Sequence, residues 1–172
     1  MEKEGGMDMD YRIREIRKAE YCCLEEFLYE AVFVPEDVEP PPKSIITLPE
    51  LRIYTEGFGQ KPHDRGLVAE KNGKIVGAVW TRIMEDYGHI DEKTPSLAMS
   101  LYPAYRGKGI GTALLREMLA LLAKDGYARV SLSVQRANAA VRLYQTAGFC
   151  VWEEKEEELI MVKDLKSGGF HA

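Results

Sequence analysis

The chain is predicted to fold as an α/β protein, a mixed β-sheet with helices on both faces. Three observations carry this. Asn72-Gly73 between two strand-like runs predicts a two-residue hairpin, hence antiparallel neighbours in the first half. Strand-like segments at 96–102 and 128–134 flank a helical stretch with apolar residues at 110, 113, 114, 118, 121 and 122. That is a β-α-β crossover and implies a parallel pair. The predicted order along the chain is β-α-α-β-β-β-α-β-α-β-β, with strands and helices interleaved rather than segregated. A length of 172 residues without internal repeats fits one domain, 1–172, with an ordered core over about 11–164.

Each element has a local reason. YRIREIR (11–17) alternates and reads as a strand. From Ala19 to Phe33, apolar residues at 24, 27, 28, 31 and 32 recur at helical spacing. Three successive prolines, 40–42, then forbid helix and inner strand. A short helix is expected from Pro49, with proline in its first turn, to about Phe58. After the hairpin at 72–73 comes a polar loop, EDYGHIDEKTP (85–95), and then the strand SLAMSLY, stopped by Pro103. Gly126 ends the long helix. Asn138 is expected to cap a helix running through Ala147, Gly148 closes it, and Phe149 starts a strand. EEKEEE (153–158) reads as the turn of a final hairpin leading into LIMVK.

Composition narrows the function. A net charge of −5 argues against a protein that binds nucleic acid through general electrostatic attraction. Cys22 and Cys23 are adjacent and Cys150 is remote, so they form no disulfide framework, and a reducing compartment is the simpler expectation. No spacing resembles a metal site, and His63, His89 and His171 are scattered. No apolar run approaches the roughly 20 residues of a membrane helix, and the acidic start MEKEGGMDMD is unlike a secretory signal. The first ten residues and the terminal KSGGFHA are expected to be frayed, and the cytoplasm is the expected location.

The most informative stretch is YRGKGIGTALL, 105–115, with glycines at 107, 109 and 111 just where a helix must start. Glycines let successive amides turn toward one point and let a bulky anion approach the backbone. The helix N-terminus adds roughly 0.3–1 kcal/mol for a nearby negative charge. Two familiar phosphate loops do not fit. Lys108 lies between glycines and no Gly-Lys-Ser/Thr follows, which excludes the nucleoside-triphosphate loop. Position 112 is Thr where the dinucleotide fingerprint needs its third glycine.

Arg106-x-x-Gly109-x-Gly111, placed directly after a strand and Pro103, resembles the acyl-CoA loop of the GCN5-related N-acetyltransferase (GNAT) family. A second segment, NAAVRLYQTAGF (138–149), is similar to that family's other signature: Asn, a short helix ending Leu-Tyr, then Gly-Phe. Its Asn-to-Tyr spacing is six, where many members have one residue more. The resemblance spans the element order from Tyr11 to Lys163 and is most specific between Ser96 and Phe149. It implies the GNAT fold, with acetyl-CoA as cosubstrate in an opening where the fourth and fifth strands splay apart. Met99, Ser100 and Leu101 are then expected to line the pantetheine arm, with an amide near Leu101 polarising the thioester carbonyl. Arg106, Gly107, Lys108, Gly109, Ile110, Gly111 and Thr112 are expected to hold the pyrophosphate, and Asn138 to contribute to the same site. Tyr144 matches the family's usual general acid.

The implied function is N-acetyl transfer to a primary amine, small or peptidyl, by direct attack on the thioester. The alternative is a non-catalytic acyl-CoA-binding or sensing module on the same fold. Cys22, Cys23 and Cys150 match no acyl-carrying position. Where N-terminal acetylases often carry Leu-Glu-Val, this chain reads Leu132-Ser133-Val134, and Ser133 is no carboxylate base. Glu85, Asp86, Asp91 and Glu92 are carboxylates near the expected cleft, and the base is left unassigned. Acceptor selectivity is expected from 34–60, 84–95 and the last hairpin, which with the neighbouring strand carry Tyr54, Phe58, Trp80, Tyr87 and many acidic groups. Pairing as a homodimer is open to members of the family.

Overall fold

A computed structural model describes residues 10–166. Of the ends expected to fray, 1–10 and 166–172, all but Asp10 and Lys166 lie outside the described residues. Eleven helices and strands follow in the predicted order. They are β1 (Arg12–Glu15), α1 (Cys23–Ala31), α2 (Pro49–Arg52), β2 (Arg65–Lys71), β3 (Lys74–Arg82) and β4 (Ser96–Leu101). The second half adds α3 (Ile110–Lys124), β5 (Arg129–Gln135), α4 (Ala140–Thr146), β6 (Cys150–Glu154) and β7 (Glu158–Asp164). Short 3-10 segments at Lys18–Glu20, Lys43–Thr47 and Pro103–Tyr105 join them.

The seven strands form one sheet in the order β1-β2-β3-β4-β5-β7-β6. Asn72 and Gly73 both have positive φ, 54° and 77°, as a type I′ hairpin requires. All neighbours are antiparallel except β4 and β5. On one face, Leu114, Leu115, Met118 and Leu122 of α3 bury against Leu67, Val79 and Leu97. On the other, Leu24, Phe27 and Leu28 of α1 pack on Val68, Ala78 and Trp80. Among the described residues no helix is long and apolar enough to cross a membrane, and no group of three or more His, Cys, Asp or Glu is placed to hold a metal.

Several elements are shorter than their sequence patterns. The helix expected over 49–58 stops at Arg52. The carbonyls of Ile53, Tyr54 and Glu56 are taken by side chains from β3: Trp80 Nε1 donates to Tyr54 O at 2.9 Å, and Arg82 Nη1 donates to Ile53 O and Glu56 O at 2.9 and 2.8 Å. Those carbonyls no longer need i+4 amides, and the chain continues as a string of turns. Similarly, Lys18–Glu20 is a separate turn ahead of α1, because Glu20 folds back onto the Arg17 amide at 2.8 Å. The final turn narrows to 155–157, so Glu153, Glu154 and Glu158 are strand residues. Trp80 and Phe58, expected near the acceptor, are core side chains instead.

Candidate active site

The parallel strands β4 and β5 share a single registered pair, Ser96 with Ser131, and then part. The opening is a cleft of about 1370 Å³. Its walls include Met99, Ser100 and Leu101 on one side and Ser133, Val134 and Gln135 on the other. Backbone groups alternate in direction along a strand. The Tyr102 amide donates across to Val76 O on β3 at 3.0 Å. Tyr102 and Ser100 therefore turn their backbone groups toward β3, and Met99 and Leu101 turn theirs toward the opening. The Leu101 carbonyl accepts from Arg106 Nε at 3.0 Å, which leaves its amide facing the cleft. The Ser100 hydroxyl is occupied elsewhere, donating to Phe27 O at 2.6 Å.

The glycine loop closes one end of this cleft. Gly109 precedes α3 with φ 90° and ψ −5°, and Gly107 has φ 74°. A Cβ on either would meet no atom within 4 Å, so the loop presents bare backbone to open space. The first helical bond runs from Ala113 N–H to Gly109 O at 3.1 Å, so the amides of 110–112 lack intrahelical acceptors. This is the cradle an anion needs. It also defines what each loop residue can give. Ile110 offers its amide only, because its side chain is core. Lys108 is exposed and is not among the cleft-lining residues. The Arg106 guanidinium is held by the Glu30 carboxylate at 3.1 Å as well as by Leu101 O. It latches the loop to α1 and β4 rather than standing free.

Ahead of α4, Asn138, expected as the cap, accepts the Ala140 amide through Oδ1 at 2.9 Å, but the N-cap position itself is Ala139, one residue on, and Asn138 also lines the cleft. Tyr144 stands six residues on, 7% exposed, with its ring edge-on to Phe149 at 5.6 Å and its side chain on the cleft wall. Burial pushes its phenol up to about 12.

The cleft passes through the sheet, because β5 alternates. Leu132 and Val134 share the core with α3 and Tyr144. Ser131 and Ser133 point to the opposite face, where Ser131 Oγ donates to Gly88 O at 2.7 Å in the β3–β4 loop. On that second face Ser133 Oγ donates to Glu158 Oε1 at 2.7 Å. Tyr54 and Tyr87 also line the cleft. Burial first, then the neighbouring Asp86 carboxylate, pushes the Tyr54 phenol well above its usual range. Burial and then Glu50 raise Tyr87.

The carboxylates singled out in 85–95 are placed differently from one another. Asp91 pairs with Arg129 at 2.7 Å and Glu92 with His89 at 3.2 Å. Asp86 accepts from Ser96 Oγ at 2.8 Å and, with Glu85, lines a smaller adjoining cavity of about 380 Å³. Cys22, Cys23 and Cys150 are free thiols outside the cleft-lining set, and burial pushes Cys23 up to about 11. Glu158 escaped the sequence reading because it sat in an acidic run that looked like a solvated turn. The usable signal was register: β7 pairs Ile160 with Ser133 and Glu158 with Gln135, which makes Glu158 the diagonal neighbour of Ser133.

Solved structures share this fold. YncA from Salmonella typhimurium, solved with its cofactor acetyl-CoA, matches with a TM-score of 0.67 at 21% identity, over 91% of this chain and 95% of that one. The ribosomal-protein-S18-alanine N-acetyltransferase from Escherichia coli matches with a TM-score of 0.65 at 19% identity, over 94% and 98%. Among curated proteins, the mycothiol acetyltransferase of Thermobispora bispora is 38% identical over 87 residues, which are 49% of this chain and 30% of that protein. N-acetyltransferase 8B of Homo sapiens is 32% identical over 83 residues, 48% of this chain and 37% of that protein. The chain thus spans about a third of the length of these curated relatives. The profile of the acetyltransferase (GNAT) family matches residues 25–149, from α1 through the Gly-Phe that follows α4. The chain belongs to the acetyltransferase (GNAT) family.

Proposed function

We propose that the protein is an acetyl-CoA-dependent N-acetyltransferase that moves the acetyl group to a primary amine by direct attack on the thioester. The observation that carries this is the open inner edge of β4 leading from the bare glycine cradle to Tyr144. The amides of 110–112 and the loop glycines suit the pyrophosphate, and the cleft-facing backbone of Met99 and Leu101 suits the amide-bearing pantetheine arm. The Leu101 N–H is the donor for the thioester carbonyl, where negative charge grows as nitrogen adds to carbon. As the C–S bond breaks, the leaving sulfur takes the Tyr144 proton.

A phenol near 12 stays protonated at neutral pH. Its donation to a thiolate of pKa near 8.5 is uphill by itself. Tyr144 therefore acts as a relay: as its proton passes to sulfur, the proton on the acylated nitrogen replaces it.

The test has two stages. Thermal unfolding with excess acetyl-CoA should raise the midpoint; ligand at about 100 times its Kd adds roughly 2.7 kcal/mol. Thiol release is then followed with spermidine, tyramine and an alanyl peptide as acceptors. Tyr144→Phe should keep the acetyl-CoA shift and lose roughly 10²–10⁴-fold in turnover. A shift with no turnover on any amine would leave a binding module, and no shift in the folded protein would remove the acyl-CoA reading altogether.

A further inference from the structure

We propose that Glu158, oriented by Ser133, is the group that takes the proton from the acceptor ammonium. This rests on the acetyltransferase reading above. The cleft runs through the sheet between β4 and β5, and its two faces carry different chemistry. Tyr144 belongs to the face of β5 that packs with α3, where Leu132 and Val134 point. Ser133 and Glu158 belong to the other face, where Gly88 of the β3–β4 loop lies against the β5 backbone. An amine entering from that second face meets a carboxylate before it meets the thioester. A thiolate leaving toward the glycine cradle meets the phenol.

Glu158 is built for a fixed position. It sits in β7 rather than in the turn, it is half-buried, and one carboxylate oxygen is held by Ser133 Oγ at 2.7 Å. The second oxygen is left to accept. The same cleft is lined by Tyr54 from the turns after α2, Tyr87 from the β3–β4 loop, and Lys155, Glu156 and Glu157 from the hairpin turn. Tyr54 and Tyr87 both feel the Glu158 charge, which adds to the elevation of their phenols, and Asp86 lies against Tyr54. Both phenols are therefore neutral donors across the neutral range, and neither competes for the ammonium proton. Here β7 supplies the carboxylate and β5 supplies the hydroxyl that orients it.

The proton account closes. The ammonium gives one proton to Glu158, which passes it to solvent. The neutral nitrogen bonds to the thioester carbon, and the C–S bond breaks. Tyr144 protonates the sulfur and recovers a proton from the nitrogen. The products are the N-acetyl amine, free CoA thiol and one released proton.

The experiment uses the full chain, acetyl-CoA, and whichever of spermidine, tyramine or the alanyl peptide is turned over fastest. kcat and KM are measured for wild type, Glu158→Gln, Ser133→Ala, Asp86→Asn and Glu153→Gln from about pH 6 to about pH 10, a range that spans ammonium deprotonation. Glu158→Gln keeps an oxygen for Ser133 and should fold. It should lower kcat roughly 10²–10⁴-fold near neutrality with a smaller change in the amine KM. The loss should narrow toward high pH, where the amine arrives already neutral. Ser133→Ala should show the same pH signature with a smaller loss, as a positioning residue would. Glu153→Gln, an exposed change on β6 outside the cleft, should match wild type. The acetyl-CoA-induced thermal shift should survive in every variant, which separates this proposal from the cosubstrate site.

Three results would overturn it. Glu158→Gln could leave kcat intact and raise KM equally at every pH, making the carboxylate a charge anchor only. Asp86→Asn could show the pH-dependent loss in its place. A chain that binds acetyl-CoA yet acetylates none of the amines has no step for Glu158 to serve.

Discussion

Asp64→Ala should be among the most destabilising single changes in the described structure. Its carboxylate is 1% exposed and faces the Arg82 guanidinium, 3% exposed, through Nε–Oδ1 at 3.0 Å and Nη2–Oδ2 at 3.2 Å. Oδ2 also accepts the amides of Gly59 and Lys61 at 2.8 and 3.3 Å. Removing the carboxylate strands a buried guanidinium and two amides at once. Breaking one partner of a buried ion pair costs about 3–5 kcal/mol. At roughly 2–4 °C per kcal/mol for a chain of this size, the midpoint should fall by about 6–20 °C. Circular dichroism melting of the wild type, Asp64→Ala, Arg82→Met and the double variant forms a complete cycle. The double variant should lose clearly less than the sum of the singles, because deleting Arg82 removes the charge that Asp64 answers. Some loss should remain, since Arg82 also holds the Ile53 and Glu56 carbonyls. A loss below about 1 kcal/mol for Asp64→Ala, or simple additivity, would refute the claim that this pair anchors the turns after α2.

Two further predictions follow from other parts of the fold. Gly109→Ala places a side chain at φ 90°, a left-handed conformation that costs about 1–2 kcal/mol, so the midpoint should drop by roughly 2–8 °C. Since the added methyl points into the open space of the cradle, the acetyl-CoA-induced shift should shrink as well, and an undiminished shift would place the anion elsewhere. The Arg14 hydrogen bond, aided by the Arg17 amide, holds the Glu20 carboxyl down to about 2 from its usual 4.5. A depressed carboxyl stabilises the folded state above the unfolded pKa and loses that contribution as pH falls through the folded one. Melting midpoints of Glu20→Gln should therefore vary less than those of wild type between about pH 5 and about pH 2, with parallel curves as the contrary result.

What could be read from the chain alone was whatever local chemistry decides. The type I′ hairpin needs only Asn72-Gly73, α3 needs only its apolar stripe and the glycine before it, and the turn into α4 needs only the Asn138 carbonyl oxygen that accepts the Ala140 amide. What could not be read depends on residues far apart in sequence. α2 ends early because Trp80 and Arg82, more than twenty positions later, take its following carbonyls. Arg106, expected at the pyrophosphate, lines the cleft and is also paired with Glu30, 76 positions earlier in the chain, a partner that no local pattern announces. Glu158 looked like one of several solvated acids, and only strand register brings it beside Ser133. A carboxylate's role depends on what faces it, and neither composition nor spacing carries that.

The single rung between β4 and β5 has a consequence for how the molecule holds together. The chain up to α3 supplies β1 to β4, and the chain after it supplies β5, β7 and β6. The backbone ladder therefore divides into two blocks, each built from one contiguous stretch, and continuity between them depends on α3 and the shared apolar core rather than on strand pairing. Such blocks are the natural units of sub-global opening. A molecule laid along the inner edge of β4 fills the missing rungs and ties the blocks into one cooperative unit. The gap in the ladder is at once the proposed binding site and the seam with fewest rungs in the sheet, so occupancy and mechanical unity would be two readings of the same event.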